Sequence, residues 1–270
     1  MPNNSAEQFQ ELIWQQAKQL HRDMPWRRDT RPYYVLVSEL MLQQTQVPRV
    51  VPKFEQFIGV FPSEAALAQA SLAEVLKLWQ GLGYNRRSKF LHEAARMIVS
   101  EYDGVFPSDE ANLLRLPGVG KNTAGAIRAY AFNQPSIFVE TNIRTVYIHH
   151  FFADNNAVTD KEIIHQLEAT LDREHPREFY WALMDYGTFL KAQGVKTSSQ
   201  SAHYKKQSKL EGSLRQMRGR IIAALSSQTE FSDEALRTAV AADARYEPAL
   251  AGLVKDDLVS IEPGIIRLVS

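Results

Sequence analysis

Leu116-Pro117-Gly118-Val119-Gly120, followed at once by Lys121-Asn122-Thr123-Ala124-Gly125-Ala126-Ile127, is the stretch on which the reading of this 270-residue chain turns. Two glycines around one apolar residue permit a tight turn with its backbone N–H groups pointing outward. The small residues after it open a helix. Beside such a turn, a helix N-terminus can hold an anionic group through backbone donors alone. Gly118, Gly120, Lys121 and Thr123 are therefore candidate phosphate contacts. Taken by itself the pattern is equally a plain interhelical turn, so its neighbours decide.

Working outward, apolar residues recur at helical spacing almost throughout. The spacing predicts helices over about 108–115 and 121–132 on either side of the turn, and over 88–102, 140–152, 160–171 and 177–191. Phe9, Leu12, Ile13, Ala17 and Leu20 mark an amphipathic helix near the start, and apolar stretches cover Tyr33–Leu42 and Val50–Ile58. Ser71 with Glu74 forms a capping box opening a helix into Leu78 and Trp79. Strand-like alternation is absent before residue 257, and the chain shows no internal repeat. The body is all-α.

Beyond Leu190 the composition changes. Residues 192–213 are polar, rich in Lys, Ser and Gln, and read as a loop or linker. Helices are predicted over Leu214–Leu225, from Ser232 with Asp233 and Glu234, and over about Pro248–Asp256. Two short apolar strands follow around Pro263-Gly264. Three helices and a β-hairpin suggest a small winged-helix-like domain over 211–270, after a body spanning 1–210.

The composition excludes several classes of chemistry. Cysteine is absent, which removes disulfides, a thiolate nucleophile and cysteine-ligated metal centres. The seven histidines do not fall in a zinc pattern, His149 and His150 being adjacent. With 44% hydrophobic and 23% charged residues the chain is ordinary for a globular protein. It has no apolar run of about 18 residues, and its first residues lack the basic and apolar stretches of a secretory signal, so none is expected. A cytoplasmic monomer without membrane contact is expected. Lys+Arg and Asp+Glu are equal at 31, so no overall basic excess points to nucleic acid. Locally, however, Lys196, Lys205, Lys206, Lys209, Arg215, Arg218 and Arg220 face only Glu211. That stretch is either a solvated linker or a phosphate-facing surface.

The neighbours of the turn carry a resemblance. Ser38-Glu39-Leu40-Met41-Leu42-Gln43-Gln44-Thr45-Gln46-Val47, Leu78-Trp79-Gln80-Gly81-Leu82-Gly83-Tyr84, the glycine turn and Val139-Glu140-Thr141-Asn142-Ile143 occur in that order. With Pro25-Trp26 and Leu183-Met184-Asp185-Tyr186-Gly187, over about residues 8–190, the chain resembles adenine-DNA glycosylases of the helix-hairpin-helix superfamily. The resemblance implies a fold of two helical subdomains, one of six helices over about 22–133 and one from 1–21 and 134–210. It implies double-stranded DNA with a mismatched or damaged base as partner. The base is flipped into the cleft between the subdomains, because its glycosidic bond is inaccessible in a stacked duplex.

By the same resemblance, Glu39 is the catalytic acid. A carboxyl among Leu36, Leu40 and Met41 is expected to have a raised pKa, to protonate the leaving base and then to activate water. Glu140 stands where the family has Asp, to stabilise the oxocarbenium-like sugar, with Asn142 as its helper. The extra methylene moves the charge by ~1.5 Å unless the side chain folds back. Asn122 occupies the position of the Schiff-base lysine of bifunctional members, and an amide forms no imine. The expected activity is monofunctional release of adenine opposite guanine or 8-oxoguanine. A thymine or uracil mismatch glycosylase and a weakly catalytic, structure-specific DNA-binding protein are the alternatives.

Gln44 and Tyr84 are placed at the DNA distortion, with Arg86 and Arg87 in a basic cluster beside them. At the spacing of the family's iron–sulfur cysteines stand Lys191, Ser198, Ser201 and Gln207. No cofactor is therefore expected, beyond a monovalent cation that hairpin carbonyls could hold.

Overall fold

The computed structural model describes residues 5–197, 200–202 and 209–269. In chain order its helices are α1 (Ala6–Leu20), α2 (Pro25–Arg28), α3 (Pro32–Leu42), α4 (Val47–Val60), α5 (Glu64–Gln69), α6 (Leu72–Trp79) and α7 (Arg86–Glu101). There follow α8 (Glu110–Leu113), α9 (Lys121–Tyr130), α10 (Thr141–Phe151), α11 (Asp160–Thr170) and α12 (Pro176–Ala192). The C-terminal part holds α13 (Leu214–Ser227), β1 (Glu230–Phe231), α14 (Asp233–Ala239), α15 (Tyr246–Lys255), β2 (Val259–Glu262) and β3 (Ile265–Leu268). None of the described helices is long and apolar enough to cross a membrane.

Local chemistry sets the helix starts. Ser5 with Gln8, Ser71 with Glu74 and Thr159 with Glu162 form reciprocal capping boxes at α1, α6 and α11. Pro25 and Pro176 sit in first turns, where a missing N–H removes no helical bond.

The chain divides into two compact units. One comprises Met1–Val35, Ser108–Arg115 and Val119–Lys206. Its core stacks Phe138 on Tyr180 with ring centroids 4.2 Å apart, and sets Phe9 against Tyr147 at 5.2 Å. Gly125 of α9 admits the Phe138 ring, since a Cβ there would lie 3.0 Å from it. The Tyr180 hydroxyl donates to the Ser136 carbonyl at 2.6 Å, so this buried phenol is satisfied.

Asp185, in the matched run Leu183–Gly187, is held inside this unit by residues on either side of Pro25-Trp26. Asp185, 3% exposed, accepts from Arg22 Nε at 2.6 Å and the Arg22 backbone N–H at 3.1 Å. It also takes a two-pronged bond from Arg27 at 2.7 and 3.0 Å. The Arg27 guanidinium in turn lies 5.3 Å from the Trp181 ring. Removing the carboxylate would leave the nearly buried Arg27 without its counter-charge. Asp185→Ala is expected to destabilise the protein by about 3–5 kcal/mol. Urea unfolding checks this, and a loss below about 1 kcal/mol would show the pair to be incidental.

The other unit comprises Leu36–Pro107, Leu116–Gly118 and Gln207–Ser270. Phe54, Phe57 and Trp79 fill one part of its core. A second cluster joins Leu72 and Leu76 of α6 to Met217, Ile221, Ile222 and Leu225 of α13, Tyr246 and Leu253 of α15, and Ile266 of β3. The strand order is β1-β3-β2, all antiparallel, with Val259 opposite Leu268 and Glu230 opposite Arg267.

This division corrects the sequence-based one. The C-terminal residues group with α4–α7 instead of standing apart from a body over 1–210, because α13 completes a core that α6 alone leaves open. The fold class is as expected: all-α, with a small winged-helix-like C-terminal part. Its strand β1 was not foreseen, since a two-residue strand carries no alternation to read.

Candidate functional site

The glycine turn separates two roles that its sequence merges. Gly118 has φ +79°, and a Cβ there would sit 2.9 Å from Phe90 Cβ and 3.3 Å from Leu40 Cδ2. Both conformation and packing demand glycine at this position. Gly120 has an ordinary φ of −92°, and a Cβ on it would meet nothing within 4 Å. The fold does not require that glycine. What it leaves is bare backbone at the N-cap of α9.

No side chain caps α9, whose first helical bond runs from Ala124 N–H to the Gly120 carbonyl at 2.8 Å. The N–H groups of Lys121, Asn122 and Thr123 accordingly lie in the first turn, where a helix has no internal acceptor. Lys121 and Asn122 are exposed and Thr123 half-buried. Together they make a donor-rich, electropositive end.

Asn122 also faces inward. Its Nδ2 donates to the Val139 carbonyl at 3.0 Å, fixing the backbone one residue before Glu140. Glu140 is the N-cap of α10, yet its side chain does not cap the helix. The half-buried Glu140 thus stands at a helix N-terminus, where negative charge is favoured.

Asn142 is held from α12. The Lys191 ammonium donates to Asn142 Oδ1 at 2.7 Å. Burial, and after it the charge of Arg144, lowers the Lys191 pKa. Gly187 lets α12 approach, since a Cβ on it would fall 2.4 Å from the Asn142 carbonyl oxygen. Neither Lys191 nor Gly187 was foreseen as part of this group. Gly187 did carry a signal, as a glycine inside a strong helical pattern.

In the other unit, Glu39 lies on α3, half-buried between the buried residues Ser38 and Leu40. Leu36 and Met41, its other expected apolar neighbours in sequence, are fully buried. Gln44 follows the helix with φ 56°, and Tyr84 ends its own loop with φ 48°. Left-handed backbone at a non-glycine residue persists only where the surroundings enforce it. Both residues assigned to the DNA distortion share this property.

Arg87 binds the backbone that leads into both residues, and here the expectation of a DNA-facing arginine is corrected. Arg87 is 6% exposed, and its Nη1 donates to the carbonyls of Leu40, Met41 and Gln43 at 2.7, 2.8 and 2.7 Å. Its Nη2 donates to the carbonyls of Leu82 and Gly83 at 3.2 and 3.0 Å, and to Thr45 Oγ1 at 3.2 Å. Burial pushes its pKa down to about 10, which leaves it charged at neutral pH. The guanidinium ties the carbonyls preceding Gln44 to those preceding Tyr84. It has no surface to offer a phosphate.

Arg86 keeps an exposed side chain beside Asp256 at 3.5 Å. The acids at the end of α15 face cations of their own unit: Asp256 meets Arg218 at 2.5 Å, and Asp257 meets Lys89 at 3.0 Å.

The residues at the cluster spacing do not suit iron. Lys191 presents an ammonium engaged with Asn142, and the Ser201 backbone forms a bridge with Val158. Ser198 and Gln207, like Lys205 and Lys206 of the basic stretch, lie outside the described residues. A donor set led by a cation cannot replace thiolates. Among the described residues, no group of three or more His, Cys, Asp or Glu is arranged to hold a metal ion.

Residues 37–172 match the family model described as HhH-GPD superfamily base excision DNA repair protein. The chain belongs to this superfamily. That span runs from the residue before Ser38 through the glycine turn, Glu140 and α11. This HhH-GPD protein is 36% identical over 170 residues to an adenine DNA glycosylase of Buchnera aphidicola, covering 63% of this chain and 48% of the relative. It is 41% identical over 180 residues to one of Mycobacterium tuberculosis, covering 65% and 59%. The chain thus spans about half to three fifths of these relatives. Among solved structures it is similar to a thermostable thymine-DNA glycosylase, with a TM-score of 0.63 and 25% identity, covering 74% of this chain and 96% of that one.

Proposed function

We propose that this HhH-GPD protein is a monofunctional DNA N-glycosylase that flips a mismatched base, foremost adenine opposite guanine or 8-oxoguanine, and hydrolyses its bond to the sugar. The observation that carries the reading is a half-buried carboxylate, Glu140, at the α10 N-terminus, with Asn122 bonded to the residue before it and Lys191 to Asn142. A carboxylate so placed is suited to face developing positive charge in a dissociating sugar.

In the reaction, Glu39 gives a proton to the departing base as the C1′–N bond breaks. Glu140 supports the oxocarbenium-like sugar, and water adds its oxygen to C1′. The proton released by that water restores Glu39. Double-stranded DNA is gripped at the α9 N-terminus, with Gln44 and Tyr84 filling the distorted stack. The test is a panel of duplexes carrying each mismatch and lesion, scored for alkali-labile abasic sites. Release of adenine opposite guanine or 8-oxoguanine is expected. No release from any duplex would overturn the reading. The likeness to a thymine-DNA glycosylase makes thymine opposite guanine the second substrate to score.

Asn122 offers no amine, so the product should be an intact abasic strand. Borohydride is expected to trap no covalent protein–DNA adduct during turnover. An adduct at the yield of a bifunctional control, lost on mutating Lys121, would show that Lys121 serves as the missing nucleophile.

A further inference from the structure

Tyr84 and Arg215 are 131 residues apart in the chain, yet the Arg215 guanidinium donates to the Tyr84 hydroxyl. Its Cζ lies 5.0 Å from the centre of the tyrosine ring. A phenol with both its edge bonded and its ring beside a cation has little freedom left in its side-chain torsions.

The backbone beneath the ring is equally constrained. Tyr84 sits at φ 48° behind Gly83, whose carbonyl accepts from Trp79 Nε1 at 3.2 Å and from Arg87 at 3.0 Å. The helix that carries Arg215 is itself registered against this loop. Met217, Ile221 and Leu225 of α13 share a core with Leu72 and Leu76 of α6, the helix that runs into the Tyr84 loop. On the far side of the loop, Lys89 of α7 donates to the Asp256 carbonyl at 3.1 Å and to Asp257 at 3.0 Å. The C-terminal part therefore grips the tyrosine loop through its core, its cation and its acids.

We infer that Arg215 is a positioning residue, which sets the Tyr84 ring in the orientation from which it enters the base stack of double-stranded DNA. The winged-helix-like C-terminal part thereby takes part in base extrusion, through α13 and not through a groove-reading helix. This rests on the glycosylase reading of the site.

The test uses the 270-residue chain and a duplex with 2-aminopurine beside an adenine–8-oxoguanine pair. Stopped-flow fluorescence reports unstacking, and alkali-labile product reports single-turnover base release. Arg215→Ala should slow unstacking and base release about fivefold to tenfold, with an unchanged thermal midpoint. Arg215→Lys should recover part of the loss, because a cation remains near the ring. Tyr84→Phe should reproduce part of it, because the ring remains without its hydroxyl. In a Tyr84→Ala background, Arg215→Ala should add nothing, since its effect runs through the ring.

An Arg215→Ala protein that unstacks and releases base at the wild-type rate would overturn the inference while leaving the glycosylase reading intact. So would an equal loss in the Tyr84→Ala background, which would make Arg215 a direct DNA contact. A wild type that neither unstacks 2-aminopurine nor releases base would overturn both.

Discussion

Glu39→Gln is expected to abolish measurable base release while duplex affinity stays within a few-fold of the wild type. General acid catalysis contributes about 10²–10⁴ in rate. The amide keeps the size and most of the hydrogen-bonding capacity of the acid but has no proton to give. Glu39 is half-buried on α3, next to the fully buried Leu40 and Met41, so an isosteric change there should not disturb packing. The grip on DNA is assigned elsewhere, to the α9 N-terminus and the loops of Gln44 and Tyr84. Single-turnover release and equilibrium binding on one set of mismatched duplexes separate the two effects. Full retention of activity would remove Glu39 from the mechanism.

A series at Glu140 should give the second large effect. Glu140→Gln is expected to lower the single-turnover rate by about 10²–10³, the usual loss when a preorganised charge partner of a transition state is removed. Glu140→Asp should be tolerated or improved, since it restores the shorter reach found in the family. The bonded neighbours sharpen this expectation. With the Val139 carbonyl bonded to Asn122 and the Asn142 side chain to Lys191, a changed side chain at 140 meets neighbours that already have partners. If Glu140 has instead left catalysis and the protein chiefly binds DNA, then Glu, Gln and Asp should give the same low rate at unchanged affinity. Equal rates for the three would sink the catalytic assignment.

Much of the fold was legible because helical periodicity is a local signal. The capping box at Ser71 and the glycine turn fall where residues three or four apart place them. The helices α2 and α5, of four and six residues, were missed. The site was legible only in part. Glu39, Glu140, Asn142 and Asn122 could be named as candidates from their runs, but not what holds them.

Arg87 read as one more surface cation next to Arg86. Nothing in its own neighbourhood shows that the carbonyls at the end of α3 converge on it. Asp185 likewise belongs to a matched run, yet its bonds to Arg22 and Arg27 cross about 160 residues of chain. Arg215 sits in a stretch whose charge suggested a linker or a phosphate surface, and its partner turned out to be a tyrosine ring. In each case the missing information is which distant carbonyl, carboxylate or ring lies within reach.

The Arg87 clamp has a thermodynamic consequence. Fixing one residue's backbone opposes folding or binding by roughly 1–2 kcal/mol of conformational entropy. The segments around Gln44 and Tyr84 are already fixed by six hydrogen bonds from one guanidinium. Their ordering is thus part of the folding equilibrium and not of the encounter with a ligand. Association at these loops accordingly carries little ordering entropy, and the heat capacity change on binding should report buried surface more than loop ordering.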